Sequence, residues 1–235
     1  MRVLRPGAGS EHADDNDCVI VVFQAWRRDG SLFSTSGPHE EATTQCLRTA
    51  MPGVAEALKL MVVGERRRVW VPAALAHAPM AHHGDKHLAQ TEPEPENVDL
   101  TLDLELRRIL KSPPTPSTLT PPAQGAERLP SGVFMQILTP GVGTSHPSVK
   151  SWVTLDYTGW TSDGKLFEST IMSGHPAVLL LGMALAGWQD SLQLMVVGEK
   201  VRLWVPAALA YGEKPQSRSL PAGNLVYDVE LLAFK

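Results

Sequence analysis

Four histidines near the middle of the chain are the residues best suited to bind a metal ion: His77, His82, His83 and His87, with Asp85 among them. Imidazole is a common ligand of Zn²⁺ and Ni²⁺, so four on one loop would be enough for a site. Their spacing does not follow a regular ligand pattern, however, and no cysteine joins them. We therefore expect a solvated polar loop with no bound metal and no cofactor.

The longest motif in the chain occurs twice, 134 residues apart. Residues 60–76 read LMVVGERRRVWVPAALA, and residues 194–210 read LMVVGEKVRLWVPAALA. The same offset pairs Trp26 with Trp160. Chance does not produce two such strings, so the chain is a tandem duplication whose two copies can be compared position by position.

The duplication divides the chain into three parts. The first copy covers residues 1–111, and the second covers residues 127–235. Between them, prolines alternate with serines and threonines, which predicts an extended and semi-stiff linker over 112–126. A chain of 235 residues is long enough for two domains that each bury a core of their own.

Composition and charge narrow the choice of partners and of compartment. A formal net charge of −4 leaves no overall basic field, which argues against a nucleic-acid partner. The N-terminus has no apolar core of a secretion signal, and the longest apolar run, residues 177–188, is too short to span a bilayer. We expect a cytoplasmic protein that does not bind membranes, with Cys18 and Cys46 as reduced thiols and a disulfide between them as the less favoured alternative.

Apolar periodicity predicts the same elements in both copies. In the first copy we expect strands over 18–26, 68–72 and 98–106, and a helix over 51–61. In the second we expect strands over 133–138, 149–160, 177–181, 200–205 and 225–234, and one short helix over 185–195. The counterpart of the strand residues 129–134 is missing from the first copy. The pattern is α+β, a mostly antiparallel sheet with one helix packed across it.

Five motifs run in order through the second copy: VTLDYTGWTSDGKLF at 153–167, AGW at 186–188, LMVVG at 194–198, AYG at 210–212 and VYDVEL at 226–231. In this order and spacing they resemble the FK506-binding-protein (FKBP) type of peptidyl-prolyl cis-trans isomerase, over essentially all of 127–235. The resemblance implies two FKBP-like domains, each a curled antiparallel sheet wrapped around one short helix. It also implies a rotamase that acts in protein folding.

The resemblance further implies a hydrophobic bowl that holds a prolyl ring and needs neither a nucleophile nor a metal. The residues at the matching positions are Tyr157, Phe167, Glu168, Leu185, Trp188, Tyr211, Leu220 and Tyr227. Trp188 is the expected floor of the bowl. The Tyr211 phenol and the Leu185 N–H are the expected donors to the substrate carbonyl. The alternative is that these rings are ordinary core residues.

Three positions depart from the family pattern. Glu168 stands where an aspartate is usual, Ser173 stands where an arginine commonly braces that carboxylate, and Ala177 stands where a phenylalanine wall is common. The expected ligands are proline-containing protein or peptide substrates. Macrolide inhibitors such as FK506 or rapamycin are further ligands implied by the resemblance, and their binding depends more on that carboxylate than proline turnover does.

The first copy keeps the scaffold but loses the bowl. The replacements, from second copy to first, are Tyr157 to Phe23, Glu168 to Ser34, Trp188 to Val54, Tyr211 to His77 and Tyr227 to Leu102. A bowl without its indole floor should bind proline poorly, so we expect the first copy to be non-catalytic and to serve in binding or substrate capture. The competing hypothesis for the whole chain is a non-enzymatic binding or chaperone scaffold.

Overall fold

The chain forms two compact units, Met1–Ser112 and Pro113–Lys235. The computed structural model describes residues 1–37, 41–76, 98–122, 124–217 and 220–235. The boundary puts most of the proline-rich segment in the second unit, where the Thr115 hydroxyl donates to the Gly164 carbonyl over 3.2 Å.

The first unit is an antiparallel sheet with one helix across it. Its elements are β1 (Arg2–Arg5), β2 (Cys18–Arg27), β3 (Leu32–Thr35), β4 (Thr43–Cys46), α1 (Pro52–Lys59), β5 (Arg66–Val71) and β6 (Leu100–Leu110). The strands lie in the order β1-β5-β6-β2-β3, and β4 also pairs with β2. Arg2–Arg5, which corresponds to residues 136–139 of the second copy, pairs with β5, and the sequence analysis did not predict this strand.

The second unit repeats this plan with a longer first strand. Its elements are β7 (Glu127–Arg128), β8 (Phe134–Thr139), β9 (Trp152–Thr161), β10 (Leu166–Ser169), α2 (Thr170–Ser173), β11 (Ala177–Leu180), α3 (Ala186–Leu192), β12 (Lys200–Val205) and β13 (Leu225–Phe234). The strands lie in the order β10-β9-β13-β12-β8-β7, and β11 also pairs with β9. The strands predicted over 200–205 and 225–234 match the observed bounds of β12 and β13.

A glycine brings the helix close to the sheet in each unit. A Cβ on Gly187 of α3 would lie 2.6 Å from a methyl of Val205, and a Cβ on Gly53 of α1 would lie 2.6 Å from the equivalent methyl of Val71. Real Cβ atoms do not approach so closely. The next residue, Trp188, is consequently held directly above the sheet.

The two cysteines form a disulfide, so the expectation of reduced thiols is wrong. Cys18 and Cys46 lie directly opposite each other on β2 and β4. At the matching place in the second unit, Trp152 lies opposite Leu180 on β9 and β11. Within the described ranges, no helix is both long and apolar enough to cross a bilayer.

Candidate functional site

Three rings meet at the centre of the candidate site in the second unit. Trp188 comes from the first turn of α3, Tyr157 from β9 and Tyr227 from β13. The Trp188 ring centroid lies 4.9 Å from that of Tyr157 and 5.1 Å from that of Tyr227, with both pairs nearly perpendicular. Edge-to-face contacts of this kind are favourable because a positive ring edge meets a negative ring face. The predicted floor and two of its walls therefore come together.

A fourth ring depends on a glycine that the sequence analysis did not single out. Phe167 of β10 packs edge-on against Tyr227, with ring centroids 5.7 Å apart. Gly159 lies opposite Tyr227 across β9 and β13. A Cβ on Gly159 would lie 2.6 Å from Phe167 Cζ and 2.8 Å from Tyr227 Cε1. The missing side chain leaves the room in which these two rings meet.

The carboxylate beside the bowl is held by a phenol. The Tyr157 hydroxyl donates to Glu168 Oε1 over 2.5 Å, so the longer side chain still reaches the phenol that an aspartate would bind. The Ser173 hydroxyl donates to the Ser169 carbonyl over 3.0 Å. Among the described residues, Tyr157 donates to the Glu168 carboxylate, and no described cation forms an ion pair with it.

All three tyrosines of the chain belong to this site, and each has a raised pKa. Burial raises the pKa of the Tyr157 phenol, and the hydrogen bond to Glu168 raises it further. Burial also raises the pKa of Tyr227, whose side chain is almost fully enclosed. The pKa of Tyr211 is raised by burial and then by the negative charge of Glu168. The phenols are thus neutral hydrogen-bonding groups at physiological pH.

The rim of the bowl is partly open to solvent while its floor is nearly covered. Phe167, Leu185, Tyr211 and Leu220 are all half-buried. Trp188, by contrast, is only 4% exposed. A ring entering the bowl would meet the rim side chains before it met the indole.

The segment that leads into α3 is braced by a second residue that the sequence analysis missed. The side-chain amide of Gln189 donates to the carbonyls of Gly182 and Ala184, over 3.1 Å and 2.8 Å. The Leu185 N–H makes no hydrogen bond within the part of the chain that the structure describes. That N–H is consequently available as a donor, and Gln189 fixes the loop that carries it.

The first unit has the same frame but lacks the indole and the three tyrosines. Val54 takes the place of the floor, and it packs in the core with Leu102 and the half-buried Phe23 and Phe33. Ala25 lies opposite Leu102, as Gly159 lies opposite Tyr227. Leu102 is smaller than a tyrosine and leaves space for the methyl group of Ala25. The two units therefore differ at both members of this cross-strand pair.

The predicted histidine loop falls outside the described residues, since His77, His82, His83 and His87 all lie within 77–97. Among the residues that are described, no group of three or more histidine, cysteine or acidic side chains is arranged to hold a metal ion.

Sequence comparison identifies relatives of the same kind. FkpA of Aeromonas hydrophila, an FKBP-type peptidyl-prolyl cis-trans isomerase, is 39% identical over 113 residues, which cover 48% of this chain and 41% of that protein. FK506-binding protein 1 of Candida glabrata is 34% identical over 110 residues, which cover 46% of this chain and 96% of that protein. The first match thus spans less than half the length of that relative.

Solved structures and family models give two further comparisons. The crystal structure of FkpA from Escherichia coli is 32% identical, with a TM-score of 0.45 and coverage of 48% of this chain and 52% of that one. The family described as FKBP-type peptidyl-prolyl cis-trans isomerase matches residues 9–107 and 143–232, which is most of the chain and touches both units. The chain therefore belongs to the FKBP-type peptidyl-prolyl cis-trans isomerase family, and it carries the α+β fold of that family twice in tandem.

Proposed function

We propose that the second unit catalyses cis-trans rotation of X–Pro bonds in peptide and protein substrates. The observation that carries the proposal is the set of perpendicular rings around Trp188, contributed by Tyr157 and Tyr227. A set of this kind offers a prolyl ring an apolar seat with neutral phenols at its edge. Membership of the isomerase family supports the same conclusion.

The reaction itself needs only a change of environment. Amide resonance opposes rotation of the X–Pro bond with a barrier of about 20 kcal/mol. The twisted bond has lost that resonance and its charge separation, so it is less polar than the planar bond. A bowl of aromatic rings therefore favours the twisted state over the ground state. Lowering the barrier by about 4 kcal/mol accelerates rotation roughly a thousandfold.

Hydrogen bonds hold the substrate while the bond turns. The Leu185 N–H is a free donor at the entrance to α3, and the half-buried Tyr211 phenol is a second donor. The Glu168 carboxylate accepts from Tyr157 and keeps that ring in place. We assign to Leu185 and Tyr211 the binding of the substrate carbonyl, and to Glu168 the positioning of Tyr157. The same carboxylate is the group on which macrolide binding would depend.

The covered floor implies that the bowl opens on binding. With Trp188 only 4% exposed, a prolyl ring reaches the indole after a half-buried rim residue such as Tyr211 or Leu220 turns aside. Rotation of a partly exposed side chain is fast compared with proline isomerisation, so this step does not limit turnover.

We propose that the first unit does not catalyse rotation and instead binds protein. Val54 is smaller than an indole and is itself buried in the core, which leaves a prolyl ring no aromatic floor. The Gln189 brace is also lost, because Ala55 stands at the matching position. A chaperone-like scaffold made of both units is the competing proposal, and it requires no activity from Trp188.

Exchange NMR on a blocked X–Pro peptide separates these two proposals in the full chain. Added wild-type protein should speed cis-trans exchange, Trp188→Val should not, and Trp152→Ala should act as the wild type. Trp152 is a suitable control because it is an exposed tryptophan of the same unit. Exchange that is unchanged by wild-type protein would favour the scaffold.

A cytoplasmic location of the protein is a separate proposal. A cytoplasmic location was expected from the sequence, but a disulfide such as Cys18–Cys46 persists mainly in oxidising compartments. Thiol labelling of the protein in cell extracts prepared without reductant tests the cytoplasmic proposal: labelling of both cysteines would support it, and protection of both would argue against it.

A further inference from the structure

The outer face of each sheet, away from the helix, carries a row of side chains that runs across neighbouring strands, mostly from large apolar residues. In the second unit the cross-strand neighbours are Phe134, Trp204, Val226, Trp160 and Leu166. In the first unit the matching neighbours are Trp70, Thr101, Trp26 and Leu32. Directly opposed residues of an antiparallel sheet share a face, so each row is continuous. Both rows thus contain two tryptophans.

The two rows differ in exposure. In the second unit Trp204 is 4% exposed and Trp160 is 1% exposed. In the first unit Trp70 is 53% exposed and Leu32 is 55% exposed. These two residues are the ends of the row, with the half-buried Thr101 and Trp26 between them. Exposed large apolar side chains on one sheet face commonly mark an interaction surface. The first unit therefore presents a row that its twin keeps from solvent.

A strand accounts for part of this difference. In the second unit β8 runs beside β12 as far as Trp204 and places Phe134 next to its indole. In the first unit the register of β1 with β5 ends at the Arg2–Arg68 pair. Among the described residues, Trp70 consequently has a cross-strand neighbour on the β6 side only.

An excess of positively charged side chains lies next to the exposed row. Beside the row lie five of the seven arginines of β1, β5 and β6: Arg2, Arg5, Arg66, Arg68 and Arg107. They surround two buried carboxylates, Asp103 and Glu105, through ion pairs. Within the described part of the chain Arg2 forms no ion pair at all. The arginines outnumber the carboxylates, so the surface attracts negative charge.

The same positions in the second unit are balanced. There Arg202 pairs with Asp228 through two hydrogen bonds of 2.6 Å and 2.8 Å, and Lys200 lies opposite Glu230. Gln136 occupies the place of Arg2 beside them. The excess of positive charge belongs to the first unit alone, as the exposed row does.

We propose that this face of the first unit, formed by β1, β5, β6 and β2, binds an extended acidic peptide segment of a protein partner. The segment lies along β1 and the end of β5. It places an aromatic or large aliphatic residue against Trp70, and it places acidic residues at alternate positions near Arg2 and Arg5. Along β5, Arg66, Arg68 and Trp70 recur at every second residue on this face, which is the repeat of an extended strand lying beside it. The surface is independent of the bowl and of its isomerase activity.

The probe is a fluorescein-labelled peptide of sequence Glu-Thr-Asp-Thr-Phe-Thr, titrated with the full chain and followed by fluorescence anisotropy. We expect saturable binding below about 1 mM, weakened by added salt. Trp70→Ser should weaken binding about tenfold, and Arg2→Glu should weaken it about fivefold. Matched controls are Leu60→Ser, which removes a similarly exposed apolar residue beside α1, and Arg48→Glu, which reverses an exposed charge away from this face.

The outcomes decide the proposal. Binding that is lost in Trp70→Ser but kept in Leu60→Ser supports it, as does loss of binding when lysines replace the acidic residues of the probe. No saturation at about 1 mM, or equal affinity in Trp70→Ser, would overturn it. Tighter, Trp70-dependent binding of a single-stranded oligonucleotide would assign the face to nucleic acid instead. A dimer in sedimentation velocity that Trp70→Ser dissolves would assign it to a second copy of the chain.

Discussion

Replacing Gly159 with alanine tests the packing of the bowl with a single methyl group. The added Cβ would lie 2.6 Å from Phe167 Cζ and 2.8 Å from Tyr227 Cε1. Because Tyr227 is 1% exposed and lies 5.1 Å from Trp188, its ring cannot move without disturbing the floor. Gly159→Ala should therefore damage both the stability of the second unit and its activity.

The magnitude follows from two opposing effects. Overpacking a buried site costs about 1–3 kcal/mol of the free energy of unfolding. Exchanging glycine for alanine in a strand returns about 0.5–1 kcal/mol through the reduced entropy of the unfolded chain. We expect a net loss of about 1–2 kcal/mol. Displacement of reacting groups by about 1 Å can lower a rate about a hundredfold, so kcat/KM should fall by about tenfold or more.

Two assays measure these losses in the full chain. Protease-coupled isomerisation of an X–Pro peptide gives kcat/KM. Urea unfolding followed by tyrosine near-UV circular dichroism reports the second unit, because all three tyrosines lie in it. Ala25→Gly in the first unit is the matched control, since Ala25 faces Leu102 at the equivalent place. It should leave both the tyrosine transition and kcat/KM unchanged.

A second variant recreates the pair found in the first unit. In a Tyr227→Leu background, Gly159→Ala restores the Ala25–Leu102 combination, and its stability cost should fall by at least half. Activity should stay lost, because Tyr227 no longer contacts the indole. Wild-type stability and wild-type kcat/KM in Gly159→Ala would refute this account of the rings, as would an undiminished cost in the leucine background.

Three further predictions concern the same site. Trp188→Val places the residue of the first unit in the second. It should reduce kcat/KM of the full chain to background and lower the free energy of unfolding by about 3–4 kcal/mol. Residual activity above about a tenth of wild type would mean that the first unit also catalyses. Folded protein should show no tyrosinate absorbance as pH rises past the ordinary value of 10.0. Because the unfolded chain loses those protons first, the urea midpoint of the second unit should decline above that pH; a constant midpoint would contradict the raised pKa values. Glu168→Gln should weaken FK506 binding, measured by calorimetry, more than it lowers kcat/KM, while Glu213→Gln, an exposed acidic residue of the same unit, should change neither.

Much of the fold could be predicted because the chain contains its own comparison. Runs of apolar and β-branched residues predicted the long strands of both sheets, and apolar residues at helical spacing around Val54 and Trp188 predicted the helix that crosses each sheet. The ring positions followed from family motifs at suitable spacing. Their meeting in space could be expected because β9, β13 and α3 are neighbours in that fold.

Other features depend on distances that a sequence does not state. The cysteine bridge required Cys18 and Cys46 to be cross-strand neighbours, although their counterparts Trp152 and Leu180 held the same clue. Gly159 was visible as a glycine inside a strand, which often marks a close approach. The rings that pack against Gly159, those of Phe167 and Tyr227, were identified only from the pairing of β9 with its neighbouring strands. Gln189 acts through two backbone carbonyls of a loop, and a lone polar residue on a short helix gives no such signal.

The central claim is that a prolyl ring sits on the Trp188 indole, and an intermolecular NOE experiment tests it most directly. With the full chain and excess X–Pro peptide, the account predicts NOEs from the proline ring protons to the Trp188 ring, with weaker ones to Tyr157 and Tyr227. Contacts only to the rim residues Leu220 and Tyr211, with none to the indole while exchange is accelerated, would contradict it.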